Sequence, residues 1–221
     1  MPRIVSRSGT VRFKNPYLWC MSVKRTQSEK DQAYFCSFTC LHWISLFEIT
    51  DLYGEIYKWF NILVKDNHQI LGFVIMPNHL HLLIHINQTA KSINVLLANG
   101  KRFLAYEIVK RLQEQSNQPL LKKLSEAVTQ EEQKRKKKHR LFQPSSDIKP
   151  CYTEKFVIQK LDYIHSNPVK GKWNLADDFT KYPHSSAMFY ELNVQHPSIT
   201  ITHYKDTITQ SRIVPEAGDD T

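Results

Sequence analysis

Two apolar runs separated by a single Pro-Asn pair constrain the fold of this chain most strongly. Residues 69–76 (QILGFVIM) and 79–86 (HLHLLIHI) are each long enough for one strand, and Pro77 and Asn78 between them form a turn signal. Strands joined by so short a connection pair as an antiparallel hairpin, because a parallel pair needs a long crossover. The sequence therefore predicts an antiparallel sheet that contains this hairpin.

The segments around the hairpin alternate between strand and helix patterns. In chain order, the predicted elements are a strand at about 33–43, a helix at about 51–65, a long helix from about Ser92, helical residues 119–138 and a helix from Thr153 to about Ser166. Residues 141–152 are predicted to form a loop, and Thr/Ile alternation after Asn193 predicts one more strand. This order predicts an α+β layer fold with helices mainly on one face of the sheet.

The length of 221 residues is consistent with one folded domain that carries extensions. Residues 1–30 are basic and polar without a sustained period, which predicts an N-terminal arm. We therefore predict an arm at 1–30, a folded domain at 31–191 and a C-terminal tail at 192–221.

The charge of the chain favours an anionic partner. Lys and Arg number 30 against 21 Asp and Glu, a formal net charge of +9, and nucleic acid is the leading partner class because bound phosphates release counterions. A membrane is not expected as a partner, since no apolar run reaches about 18 residues and the sequence starts without an apolar signal core. We expect the protein in the cytoplasm.

The four cysteines do not resemble the disulfide framework of a secreted domain, so they are predicted to be reduced thiols. Cys36, Cys40 and His42 share one face of the first predicted strand with Phe38. This pattern favours buried strand packing, because free Cys is among the most buried residue types, and metal binding is the alternative.

His79 and His81 are the first candidates for chemistry. They are two residues apart on a predicted strand, so both imidazoles project from the same face while Leu80 points the other way. That spacing suits two ligands of one metal ion, although polar-face packing is the favoured reading of such a pair when it stands alone. His85 continues this face and is expected to be structural.

Tyr163 and Asn167 are the second candidates. They are four residues apart on a predicted helix, which makes them neighbours on one face with Cβ atoms roughly 5–6 Å apart. The Asn167 amide oxygen is a ligand of the kind that Mg²⁺ or Mn²⁺ accepts, while Tyr163 stays free to attack. Core packing is the ordinary role of such a tyrosine.

Both candidates occur in runs that resemble a known family. GFVIMPNHLHLLIHI, then HRLFQPSSDIKPCYTEKFVIQKLDYIHSNPVKGKW and YPHSSAMFYE, resemble the HUH-type single-strand transposases, in particular the REP-associated tyrosine transposases. The resemblance spans about 33–191. It departs from the family at Phe142, where relatives often have Trp, and in the length of the basic helix at 119–140.

The resemblance implies a fold, a site and a reaction. The fold is a ferredoxin-like antiparallel sheet, and 31–191 is the HUH tyrosine transposase domain. His79, His81 and Asn167 bind Mg²⁺ or Mn²⁺, and Tyr163 is the nucleophile that cleaves and rejoins single-stranded DNA through a 5′-phosphotyrosine intermediate. The implied partner is single-stranded or hairpin DNA, the protein is a monomer or a homodimer, and its place is the nucleoid. A domesticated, non-catalytic binder of structured single-stranded DNA or RNA is the alternative.

Basic residues around these motifs are candidates for contacts with DNA. Those on the long helix, in the basic run, and in the segment after Asn167 are Lys101, Arg102, Lys134, Arg135, Lys136, Lys137, Lys138, Arg140, Lys170, Lys172 and the aromatic Trp173. For the basic run the alternative is a solvated helix end, and for Trp173 it is a residue that closes the core.

Overall fold

The computed structural model describes residues 29–88 and 91–208. Nearly all of the predicted arm and the end of the predicted tail lie outside these residues. The strands are β1 (Gln32–Thr39), β2 (Gln69–Met76), β3 (His79–Ile86) and β4 (Asp147–Pro150). The helices are α1 (Leu46–Ile49), α2 (Tyr53–Lys65), α3 (Ile93–Glu114), α4 (Gln118–Glu126), α5 (Gln130–Lys134), α6 (Glu154–Ser166), α7 (Ala187–Leu192) and α8 (Tyr204–Ile208), with 3-10 turns at Leu41–Trp43, Asn167–Val169 and Phe179–Lys181.

The four strands form one antiparallel sheet in the order β2-β3-β1-β4. The predicted hairpin is confirmed with its bounds, and His79 pairs with Met76 of β2 on one side and with Thr39 of β1 on the other. The chain order β1-α2-β2-β3-α3-β4 with this strand order is the ferredoxin-like arrangement. The predicted α+β fold is therefore confirmed.

Side chains alternate between the two faces of the sheet and build two apolar clusters. Tyr34, Cys36 and Phe38 of β1 belong to the larger cluster, together with buried side chains of α2, α3 and α4. Phe35 belongs to the smaller cluster with Leu161 and other residues of α6. Helices thus lie mainly on one face, as predicted, and α6 packs against the other.

The predicted loop before α6 contains β4. The sequence did not predict this strand, because it has only four residues and one of them is Pro150. It pairs with β1 from Ser37 to Tyr34, and without it the edge of β1 would be open. Its formation depends on β1 rather than on its own pattern.

The basic helix predicted at 119–138 is shorter and broken. It ends at Glu126, and a separate short helix starts after Thr129, whose side chain and that of Glu132 form a capping box. Residues 136–140 are not helical. The local capping interaction therefore overrides the continuous helical composition.

The strand predicted in the tail is wrong. Residues 193–203 form irregular structure, followed by α8. Ile199 and Ile201 are buried in the larger cluster, so their alternation reflects packing of the segment onto the core instead of a β ladder.

The first predicted strand also ends earlier than expected. Cys36 and Cys40 are buried free thiols, which confirms the packing prediction for them. His42, by contrast, lies in the 3-10 turn, is exposed, and has a φ of 52°. It does not share a strand face with the cysteines.

No helix in residues 29–88 and 91–208 has both the length and the apolar character needed to cross a membrane.

Gly100 of α3 is required by close packing against α2. A Cβ atom at Gly100 would lie 2.3 Å from Cε2 of Trp59, whereas one at Gly54 of α2 would meet nothing within 4 Å. We expect Gly100→Ala to lower the free energy of unfolding by about 1–3 kcal/mol, because the rigid indole has to move. Gly54→Ala should raise it by up to about 1 kcal/mol through helix propensity. Urea unfolding followed by circular dichroism measures both, and equal stabilisation by the two changes would contradict this packing.

Candidate functional site

The histidine pair lies on the central strand β3, on the face that α6 covers. His79 and His81 are each 5% exposed, and their ring centroids are 4.9 Å apart with an interplanar angle of 75°. Leu80 and Leu82 between and after them belong to the larger apolar cluster on the opposite face. The period of two therefore places both imidazoles together, as predicted.

Helix α6 is positioned by its N-terminal cap and by a close approach to β2. The Thr153 hydroxyl accepts a hydrogen bond from the Phe156 N–H at 3.3 Å, which confirms the predicted start. Leu161 packs onto β2 at Gly72, where a Cβ atom would be 2.6 Å from Leu161 Cδ2. The absence of a side chain at Gly72 thus allows α6 to lie close to the sheet.

This placement brings Tyr163 next to the histidine pair. Its ring centroid is 4.9 Å from that of His81, at 70°, and Phe35 packs against both rings at 6.0 and 5.6 Å. The tyrosine is nevertheless 44% exposed. A half-exposed phenol that touches a buried imidazole is accessible to a substrate, unlike an ordinary core tyrosine.

Asn167 lies where α6 gives way to a 3-10 turn and connects the two candidates. Its side chain lies close enough to both His79 and Tyr163 to shift the pKa of each. Burial lowers the pKa of His79 to about 4, and the Asn167 side chain opposes that change. Burial also raises the pKa of Tyr163, with the Asn167 side chain again opposing and the Asp147 charge adding to the increase. All four predicted residues are therefore brought together.

The buried histidines fit the role of metal ligands. Burial holds the pKa of His81 well below its usual range, and the charges of His79 and Lys160 lower it further, so the imidazole is neutral. Neither ring nitrogen of His81 has a hydrogen-bond partner in the part of the chain that the structure describes. A buried polar group without a partner costs about 1–3 kcal/mol, and a bound cation would supply the missing partner.

The predicted donor set is two imidazoles and one amide oxygen. Within residues 29–88 and 91–208, no three or more His, Cys, Asp or Glu side chains are grouped to hold a metal ion. The predicted third donor, Asn167, is outside those four residue types.

Asn78 has a role that sequence reasoning missed, since the residue was read as a turn signal alone. It is 2% exposed, its Nδ2 donates to the Trp43 carbonyl at 2.7 Å, and its Oδ1 lies 2.7 Å from His79 Nδ1. The carbonyl of Trp43 only accepts, so the amide group has its oxygen toward His79. His79 Nδ1 is then the protonated nitrogen, which leaves the Nε2 lone pair for a ligand.

Lys160 is a second residue that was missed. Its ammonium lies 4.8 Å from the Phe35 ring centroid and 5.8 Å from that of Tyr163. Burial lowers the pKa of Lys160, with the Lys149 charge acting in the same direction. The spacing of three residues before Tyr163 on one helix was a readable signal for this neighbour.

The predicted DNA contacts on α3 differ in their surroundings. The Lys101 ammonium donates to the Gln143 carbonyl at 3.1 Å and to Ser146 Oγ at 3.2 Å, and burial lowers its pKa to about 8. Arg102 is exposed, with Nη2 at 3.5 Å from Asn99 Oδ1. Lys101 therefore connects α3 to the segment before β4, and its contact with DNA stays a prediction, as does that of Arg102.

The basic run is mostly exposed. Its solvent-exposed members are Lys134, Arg135, Lys136, Lys137 and Lys138. Lys137 forms an ion pair with Glu132 at 2.7 Å, and Arg140 lies 3.9 Å from the same carboxylate. The carboxylate offsets part of the charge, and the remaining cations face solvent.

The segment after Asn167 lies next to His79 through Trp173. The Trp173 ring centroid is 5.8 Å from that of His79, and the Lys172 ammonium lies 5.3 Å from the Trp173 centroid. Trp173 also packs against the smaller apolar cluster, while Lys170 and Lys172 are exposed. This segment borders the site, and its contact with DNA stays a prediction.

Two further histidines lie outside the site. His85 is buried at the other end of β3, with Nε2 at 3.5 Å from the Asp31 carboxylate. His165 is buried on the sheet-facing side of α6, where Nε2 lies 2.9 Å from Ser186 Oγ. Both positions agree with packing roles.

The comparisons with known proteins add structural similarity. The sequence matches no protein-family model and no curated protein. One similar solved structure is described as a REP-associated tyrosine transposase bound to a REP hairpin, with 16% identity and a TM-score of 0.49 over 91% of this chain and 94% of that chain. Another is described as a candidate transposase from Deinococcus radiodurans, with 18% identity and a TM-score of 0.33 over 65% of this chain and 95% of that chain. At these values, the function has to be inferred from the side chains of the site.

The double hydrogen bonding of Asn78 predicts an effect on metal affinity. We expect Asn78→Ala to weaken Mn²⁺ binding about 10- to 100-fold, because His79 loses the acceptor that orients its ring. Asn61→Ala is the matched control, since Asn61 also donates to a backbone carbonyl, that of Ser198 at 3.0 Å, but outside the site. Electron paramagnetic resonance of free Mn²⁺ measures the affinities. Equal affinity of Asn78→Ala and the wild type would exclude this role.

Proposed function

We propose that this protein is a metal-dependent DNA strand transferase of the HUH type that cleaves and rejoins single-stranded DNA with Tyr163 as the nucleophile. One observation carries the proposal. The half-exposed Tyr163 ring lies 4.9 Å from the His81 ring, and the Asn167 side chain is close to both Tyr163 and His79. This arrangement of one strand and one helix end supports the proposal of a nucleophile beside three metal donors.

The reaction follows from these groups. The Tyr163 hydroxyl oxygen attacks a backbone phosphorus, its bond to phosphorus forms as the bond to the 3′ oxygen breaks, and a 5′-phosphotyrosine and a 3′-OH result. The phenolic proton leaves to water and the 3′ oxygen takes one up. A bound Mg²⁺ or Mn²⁺ would supply positive charge against the phosphate oxygens and the leaving oxygen. A 3′-OH of another strand reverses the step, and rejoining needs no ATP because the covalent link retains the bond energy.

The chain itself orients and activates the nucleophile. Phe35 packs against the tyrosine ring beside His81, and the Asn167 side chain lies near the phenol. Because burial raises the pKa of Tyr163, the phenol is protonated at neutral pH and needs positive charge to become a good nucleophile. Lys160 is a protein cation beside it, with its ammonium 5.8 Å from the ring centroid.

The electrostatics support DNA as the partner. The chain has a net charge of +9, and most of the basic run at 134–138 is exposed. We propose single-stranded or hairpin DNA as the substrate, a cytoplasmic, nucleoid-associated protein, and a monomer or homodimer as the active form. The contacts with phosphates come from the basic residues of α3, of the run, and of the segment after Asn167.

The covalent intermediate tests this proposal. Labelled single-stranded hairpin oligonucleotides from the DNA that flanks the gene are incubated with the protein and Mg²⁺ or Mn²⁺, then separated on a denaturing protein gel. We expect an adduct with the wild type that EDTA prevents and Tyr163→Phe abolishes, because only the phenol oxygen forms the bond. Tyr106→Phe, at a tyrosine that is 71% exposed on α3, should form the adduct normally.

Two results would contradict the proposal. An adduct that persists in Tyr163→Phe would place the nucleophile elsewhere. Tight binding of the hairpins by the wild type without any adduct, in either metal, would indicate the non-catalytic binder instead.

A further inference from the structure

Trp43 combines exposure with an unfavourable backbone conformation. Its side chain is 46% exposed, and both His42 and Trp43 have positive φ, at 52° and 59°. A left-handed conformation costs free energy for bulky residues, and two of them in succession persist only when their surroundings hold them. The other non-glycine residues with positive φ in the described chain are Asp, Asn, Ser and Lys. An exposed tryptophan held in this way calls for a reason other than core packing.

The bonds that hold Trp43 are the ones that orient the metal site. The Trp43 carbonyl accepts from Asn78 Nδ2 at 2.7 Å, and the Trp43 N–H donates to the Cys40 carbonyl at 3.1 Å. Asn78 is also the residue whose Oδ1 bonds His79. The buried Asn78 amide therefore orients the proposed ligand His79 and also holds the backbone of Trp43.

The indole lies at the border of the site. Its ring centroid is 5.8 Å from that of His79 with an interplanar angle of 72°, and the Trp173 ring lies 5.8 Å from the same histidine. Positive charge is also close, because the Lys172 ammonium lies 5.3 Å from the centroid of the Trp173 ring. A cation and an exposed aromatic face thus occur together beside His79.

We propose that Trp43 is a stacking platform for one unpaired nucleobase of the single-stranded DNA whose phosphate enters the site. Aromatic side chains beside a basic, backbone-tracking surface bind single strands in this manner, since every base has a π face. The position of this base, next to His79, makes it a neighbour of the scissile phosphate. The inference rests on the proposed function and adds to it the contact that selects unpaired over paired DNA near the cleavage point.

Equilibrium binding tests the platform. Fluorescence anisotropy in Mg²⁺ compares labelled single-stranded dT12 with a 12-residue abasic strand of equal phosphate charge, in the Tyr163→Phe background so that no adduct forms. We expect Trp43→Ala to weaken dT12 binding about 5- to 100-fold and to leave binding of the abasic strand unchanged. Trp43→Phe should recover part of the loss, because it keeps an aromatic face. Tyr106→Ala, which removes an exposed aromatic ring on α3, is the matched control and should bind both strands normally.

Two outcomes would overturn the inference. Unchanged dT12 binding by Trp43→Ala would remove Trp43 from the DNA surface. Equal weakening for dT12 and for the abasic strand would assign its effect to the backbone or to a distorted turn rather than to a base. Because the readout is binding in a protein without Tyr163, failure here is distinct from failure of the proposed strand transfer, whose readout is the covalent adduct.

Discussion

The burial of β3 on both faces is the constraint on which the rest of the structure depends. All eight of its residues are buried, and it is paired on both edges, by β2 and by β1. Its leucines at 80 and 82 complete the larger apolar cluster. Its other face carries His79 and His81. Asn78 bonds His79, whereas neither ring nitrogen of His81 has a hydrogen-bond partner among the described residues. The same alternation that builds the core thus produces a site with an unsatisfied imidazole, and α6 covers it with Tyr163 and Asn167.

Burial has opposite effects on the pKa values of the two histidines and of Tyr163, and the proposed reaction depends on both effects. It lowers the pKa of the histidines, which keeps their lone pairs free, and it raises the pKa of Tyr163, which keeps the phenol unreactive in the absence of positive charge. The Asn167 side chain lies near both kinds of group. In the proposed reaction, a bound cation adds to Lys160 the positive charge that activates the phenol.

The parts of the fold that follow from local patterns were predictable from the sequence. The hairpin bounds agree with the prediction because the turn and the period of two are both local, and Thr153 caps α6 as expected. The strand β4 was not predictable, since its pairing is with β1, over a hundred residues earlier in the chain. The link from Asn78 to Trp43 joins residues 35 positions apart and is invisible to spacing arguments. The predicted site residues meet in space, and what was missed is the shell that orients them.

A crystal structure of the wild-type protein with Mn²⁺, with the anomalous signal of the metal measured, tests the central claim most directly. The account predicts one strong peak bonded to the imidazoles of His79 and His81 and to the Asn167 amide oxygen, on the side of the site that Tyr163 faces. A peak that engages other residues, such as the Asp147 carboxylate, while both histidines remain without a ligand would contradict it. The histidine pair would then be a buried packing feature of β3.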